Sequence, residues 1–236
     1  SHHDPERYCA DRPGTGVGRH TSTRGWFGAI PGVADQHHLA GEDMTDVPLD
    51  PIAIDVGSLV KKTVTSLYSH LVTRPTGRAV RMAIETQLLG AGSRSLSLID
   101  LSEVTILDFS CADEVVAKLL QRYLEVDAQE AFFVFCGVHE PHRDQIQVVL
   151  ERQGLVAVAE TDTAVFELLG APDDLEQRAW LRLEERGLIG KDDVESLFPE
   201  DEQRAALNRL VDRRVAFRSP ISGRYHALSR LVRHLL

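Results

Sequence analysis

Residues 98–116 read Leu98-Ile-Asp-Leu-Ser-Glu-Val-Thr-Ile-Leu-Asp-Phe-Ser-Cys-Ala-Asp-Glu-Val-Val116. An apolar run feeds a tight polar turn, and the turn feeds a helix. On the upstream side, Ser95–Leu101 alternates in part and predicts a strand, followed by a second short apolar run at Val104–Leu107. On the downstream side, Ala112–Leu124 sets Val115, Val116, Leu119, Leu120, Tyr123 and Leu124 on the inner side of an amphipathic helix. Ser110 with Asp113 has the spacing of a capping box at that helix start. The free N–H groups of a helix start also favour an anion, so Asp108, Ser110 and Asp113 form a candidate phosphate- or partner-binding turn. Capping alone is enough to account for Ser110 and Asp113.

Outward from this stretch the same alternation continues. Ile52–Val56 predicts a strand, and Gly57–Leu71 and Arg78–Leu89 predict helices. Ala131-Phe-Phe-Val-Phe-Cys136 is apolar without alternation, the pattern of a strand buried on both faces. Pro141–Arg152 predicts a helix, Val156–Glu160 a strand, and Thr163–Leu169 a short helix stopped by Gly170. Strand–helix repetition implies an α/β fold: a small mixed sheet with packed helices over residues 44–170. Arg74 and Arg78 stand four apart near a helix start, a spacing able to clamp a phosphate or a partner carboxylate, or simply to solvate a helix edge.

The pattern Asp100-Leu-Ser-x-Val-x-x-x-Asp108, then a serine and a helix, resembles the STAS domain, the fold of anti-sigma-factor antagonists. Antagonists place a phosphorylatable residue directly after the aspartate, where this chain has Phe109. Ser110-Cys-Ala-Asp-Glu114, together with Thr73-Arg74 and Arg78, is more similar to a STAS-like family of unknown function. The resemblance covers roughly Ile52 to Gly170. It implies a protein–protein signalling role with a kinase-like ATPase among the partners, and it brings no catalytic residues.

Beyond Gly170 the pattern changes. Ala171–Asp174 reads as a linker, Asp173 with Glu176 as a capping box, and three helices then lead to a hairpin around Pro220-Ile-Ser-Gly223. That order predicts a C-terminal winged helix-turn-helix domain over 171–236. From Gln203 onward the chain carries Arg204, Arg209, Arg213, Arg214, Arg218, Arg224, Arg230 and Arg233 against one acid, Asp212. With Leu207, Leu210 and Val211 inward, Arg204, Asn208, Arg209 and Arg213 are expected to face outward for DNA. Arg218 and Arg224 flank the wing turn and are expected at phosphates. Glu200, Asp201 and Glu202 would repel DNA if they faced it.

Composition bounds these readings. The chain has 236 residues and a net charge of −10, so DNA contact has to be local. Its three cysteines are too few for a disulfide framework and fit a reducing cytoplasm. Residues 1–43 lack any period and are expected to be disordered, with a start at Met44 equally consistent. No apolar run is long enough to span a membrane. Cys136, His139 and His142 have metal-like spacing but no fourth ligand, and structural roles account for them better. No catalytic constellation, cofactor motif or metal site is expected. The expectation is a cytoplasmic regulatory protein with a docking domain and a DNA-contacting winged helix. The alternative is an interaction module acting on a kinase-like ATPase, its winged helix serving as a homodimer surface.

Overall fold

The computed structural model describes residues 46–63, 70–125, 129–161 and 165–235. The expected disorder of 1–43 and the start at Met44 lie outside these residues, as do positions 64–69 of the expected helix Gly57–Leu71. Asp43 to Leu236 form one compact unit.

The chain runs β1 (Asp50–Asp55), α1 (Val56–Thr63), β2 (His70–Leu71), α2 (Arg74–Leu88), β3 (Arg94–Asp100) and β4 (Ile106–Leu107). Then come α3 (Phe109–Ala112), a π-helical stretch (Asp113–Lys118), α4 (Leu119–Glu125), β5 (Glu130–Val138), α5 (Glu140–Gln153), β6 (Val156–Thr161) and β7 (Phe166–Gly170). The architecture is α/β: a five-stranded mixed sheet, order β1-β3-β5-β6-β7, with packed helices. β1, β3, β5 and β6 run parallel and β7 is antiparallel to β6.

Each face of the sheet carries its own apolar cluster. Ile54, Ile99, Phe133, Phe135, Ala157 and Leu169 pack with α1, α2, α4 and α5. Leu96, Phe132, Val134, Val158, Phe166 and Leu168 pack on the opposite side with the C-terminal segment. The unbroken apolar run of β5 therefore sends alternate phenylalanines into different layers.

Positions 163 and 164 of the expected helix Thr163–Leu169 lie outside the described residues, and from Phe166 the chain is β7 rather than helix. Phe166 and Leu168 face one layer and Leu169 the other, which is strand alternation. Hairpin pairing from Val156↔Gly170 to Glu160↔Phe166 supplies the backbone bonds. Gly170 closes the strand at φ +105°, where a Cβ would sit 2.2 Å from the Leu155 carbonyl oxygen, so no other residue fits.

The C-terminal segment runs α6 (Asp174–Arg186), β8 (Leu188–Ile189), a 3-10 turn (Lys191–Asp193), α7 (Val194–Leu197), α8 (Asp201–Asp212), β9 (Ala216–Arg218), β10 (Tyr225–Ala227) and α9 (Leu228–Leu235). The capping box at Asp173 and Glu176 is present. β8 joins the expected hairpin to make a three-stranded sheet, order β8-β10-β9. The expected boundary at residue 171 is a change of architecture rather than a break in packing. Trp180, Leu183, Leu207, Phe217 and Leu231 share one core with the second face of the large sheet. The short strap Asp46–Leu49 adds Val47 and Leu49 to that core, while the Asp46 carbonyl accepts from Ser219 Oγ at 2.6 Å.

Phe217 meets Phe132 edge-on, with ring centroids 5.5 Å apart, at the centre of this shared layer. Phe217→Ala should lower the unfolding free energy by about 3–5 kcal/mol. Urea denaturation followed through the buried Trp180 measures this. Amide exchange should show β5 and α8 losing protection together; β5 keeping its protection while α8 loses it would mean two independent units.

Candidate functional site

α2 begins at Thr73, whose hydroxyl accepts from Thr76 N, with Pro75 in the first turn. This start lies ahead of the expected one and puts Arg74 on the first turn of the helix. At Gly77 the helix crosses the quoted turn so closely that a Cβ would lie 2.9 Å from Cys111 Cα. Glycine is required there to bring Arg74 over residues 113 and 114.

The turn itself differs from the expected cap. Asp108, not Ser110, caps the helix: its carboxylate accepts from Cys111 N at 2.8 Å, and Ser110 Oγ donates to the same oxygen at 2.9 Å. The helix starts at Phe109, so Asp113 is left for tertiary contacts. From Asp113 the turns widen into a π-helix, which brings the neighbouring Asp113 and Glu114 round to face α2 together.

Arg74 Nη1 donates to Asp113 Oδ2 at 2.6 Å and to Glu114 Oε1 at 3.0 Å. Arg81 Nε reaches Glu114 Oε2 at 3.3 Å, and its Nη1 reaches Glu85 at 2.5 Å. Lys118 Nζ donates to Glu114 and lies 3.7 Å from Asp113. From α5, Gln153 Nε2 donates to the remaining Asp113 oxygen at 2.9 Å. Side-chain exposure is 11% for Asp113 and 3% for Glu114, against 48% for Arg74. Burial pushes both carboxyls up. Hydrogen bonds and charge from Arg74 and Lys118, with Gln153 added at Asp113 and Arg81 at Glu114, outweigh it and hold both below their ordinary values. Those bonds in turn raise the Arg74 guanidinium pKa.

Arg78, one helical turn beyond Arg74, stays outside this network and is exposed. Cys111 is buried and donates to the Thr73 carbonyl; burial, then Asp108, pushes its thiol up to about 12. Around the turn lie exposed apolar groups: Val72 at 46%, Ile106 at 44% and Val148 at 44%. Leu71 and Leu107 are buried register partners, which leaves Val72 and Ile106 on the outer side of the β2–β4 ribbon. Val148 shares a helix face with Arg152, whose guanidinium stacks on the Phe109 ring at 5.0 Å.

Of the residues expected at the turn, Ser110 bonds Asp108 and Arg74 bonds Asp113, while Arg78 stands apart. Arg81, Gln153 and the apolar rim were not among the expected residues. The Glu114–Lys118 and Arg81–Glu85 spacings were readable as helix pairs. The contacts across helices carry no local signal.

The expected DNA set is placed differently. Arg204 turns back onto the carbonyls of Phe198 and Pro199 and pairs with Asp201. Arg209 bonds Asp173 and Glu176 at 2.8 and 3.0 Å. Arg213 bonds Glu176 at 2.5 Å and the Gly154 carbonyl at 2.8 Å. Asn208 accepts from the Tyr225 hydroxyl at 2.7 Å. Arg209 and Arg213 therefore brace the end of α8 against α6 and its cap, Arg204 braces the start of its own helix, and Asn208 stays exposed with one bond to β10. Arg218 stacks over Tyr225 at 5.2 Å and, like Arg224, has no carboxylate partner among the described residues.

His139 and His142 stack at 5.4 Å, and burial, then Asp100, pushes the Cys136 thiol up to about 12. Among the described residues no group of three or more His, Cys, Asp or Glu could hold a metal ion, and no helix is long and apolar enough to cross a membrane. No family model, curated protein or solved structure matches the chain.

Lowered carboxyl pKa values give the acid response its sign. Asp113 and Glu114 contribute stability that is present above their unfolded values, about 4, and lost as pH falls through the folded ones. Glu114→Gln should cost about 2 kcal/mol at neutral pH, since it weakens the charge-assisted bonds from Arg74, Arg81 and Lys118 at a buried site while those cations keep Asp113 and Glu85 as partners. It should also flatten the loss of stability between neutrality and strong acid. Urea denaturation across that range measures both.

Proposed function

We propose that the chain is a regulatory protein-docking module of the STAS-like kind, whose partner binds the face formed by the Asp108–Asp113 turn, the start of α2, the β2–β4 ribbon and α5. The observation that carries this reading is the setting of exposed Val72, Ile106 and Val148 around a fixed charge network. Interfaces combine an apolar centre with oriented polar groups, and exposed apolar residues grouped inside a polar rim mark interaction sites. Rigid strands and helices hold every group in place, so the face needs little ordering on binding. A kinase-like ATPase is the partner class that the STAS resemblance points to.

The order α6–β8–α7–α8–β9–β10 supports a winged-helix reading of the C-terminal segment, and its work here is to cover the sheet. DNA contact is the second reading. Arg218 and Arg224 favour it, since neither is neutralised. The engagement of Arg204, Asn208, Arg209 and Arg213 weighs against it.

A photo-cross-linking amino acid placed at Ile106 tests the docking face in the cell. A discrete protein adduct is expected there and not at Leu181, which is equally exposed on α6. Equal labelling at both positions, or none at Ile106, removes this reading. Fluorescence anisotropy with duplex DNA at low salt should show no binding; retention lost in Arg218→Glu would restore the second reading.

A further inference from the structure

The charges around the docking face are layered. Asp113 and Glu114 lie beneath and have their oxygens occupied by Arg74, Arg81, Lys118 and Gln153. Above them Arg74 uses Nη1 for these bonds, and its Nε and Nη2 bond no described residue, at a side chain that is 48% exposed. Arg78 is exposed and makes no hydrogen bond or ion pair with a described residue. Arg152 is exposed and, among the described residues, engaged by its stacking on Phe109. At the start of α2 an approaching partner therefore meets guanidinium donors first, with Asp113 and Glu114 underneath, while the exposed carboxylates of the face lie on α5. It does so on a chain whose net charge is −10, where a cationic rim is a local exception. Val72, two residues before Arg74, and Ile106, on the ribbon that leads to it, are exposed.

We infer that this face receives an acidic, apolar peptide segment of the partner protein. The segment's carboxylates meet Arg74 and Arg78, and its aliphatic or aromatic side chains cover Val72 and Ile106. The inference rests on the docking reading above and names the chemistry of the occupant. Guanidinium geometry suits carboxylates through paired N–H donors, and burial beside apolar groups strengthens such bonds. A basic segment would leave these donors unmatched and add like charge.

Short random peptides displayed on phage and selected on the folded chain provide the test. Selected peptides should be rich in Asp and Glu interspersed with Leu, Ile or Phe. A selected peptide, synthesised free, should bind about fivefold more weakly to Arg78→Glu, the size expected from exposed ion pairs, and more weakly still at high salt. Arg78 makes no hydrogen bond or ion pair with a described residue, so this variant keeps the fold, which circular dichroism verifies. Ile106→Ser should weaken binding through the apolar half. Neutral or basic selected peptides, or affinity indifferent to Arg78→Glu, would overturn the inference. So would a preference for a phosphoserine version of the peptide, or retention only on phosphatidylserine vesicles. If the Ile106 adduct forms while these results appear, only the inference falls; if no adduct forms, the docking reading falls first.

Discussion

β5 carries phenylalanines toward both faces of the sheet, and that single constraint organises the molecule. Phe133 and Phe135 demand a helical layer on one side, while Phe132 demands cover on the other. Burying each ring stabilises the fold by roughly 1.5–3 kcal/mol, and leaving one face open would forfeit that and present a sticky sheet. The C-terminal segment is the cover. Arg214 shows how firmly it is set: it adopts φ 61°, a conformation that costs a side-chain-bearing residue of order 1 kcal/mol. Its guanidinium stacks over Phe132 at 5.6 Å and pairs with Glu130 at 2.5 Å, contacts that hold the strained turn in place.

The charge network on the other layer has a different character. Two buried carboxylates are expensive to desolvate, and hydrophobic replacements of the same shape are often as stable. What the pairs do provide is a defined geometry. Asp113 and Glu114 are adjacent in sequence and reach the same arginine because the π-helical turns rotate them together. Gly77 removes the Cβ that would keep α2 away. The result fixes Arg74 at the surface, beside the apolar ribbon.

Local patterns foretold local structure and failed where distant partners decide. The apolar run of β5, the Asp173–Glu176 box and the helix of α5 were legible because neighbours in sequence settle them. Phe166–Leu169 was misread as helix because so short a mostly apolar segment is ambiguous until its hairpin partner β6 is known. Asp108 capped the turn in place of Ser110, since both carry a suitable oxygen and only the backbone path chooses between them. The pairing of the arginines around α8 was the part least legible in the sequence. Their count against a single acid describes a stretch of chain, whereas Glu176 and Asp173, which neutralise two of them, stand more than thirty residues away.

The two layers meet at the end of α5. Gln153 bonds Asp113 of the charge network, and the next residue, Gly154, accepts from Arg213 of the C-terminal cover. Gly154 sits at φ 64°, the left-handed cap that turns the chain from α5 into β6. Adjacent residues thus carry a contact from each side of the sheet. A chain of contacts transmits a signal only if some element along it has two arrangements of similar energy. The left-handed cap and the Gln153 bond to the buried Asp113 both oppose such freedom. The geometry therefore favours a rigid body whose docking face is held from behind, and binding there would be read by the partner rather than by a rearrangement of the C-terminal cover.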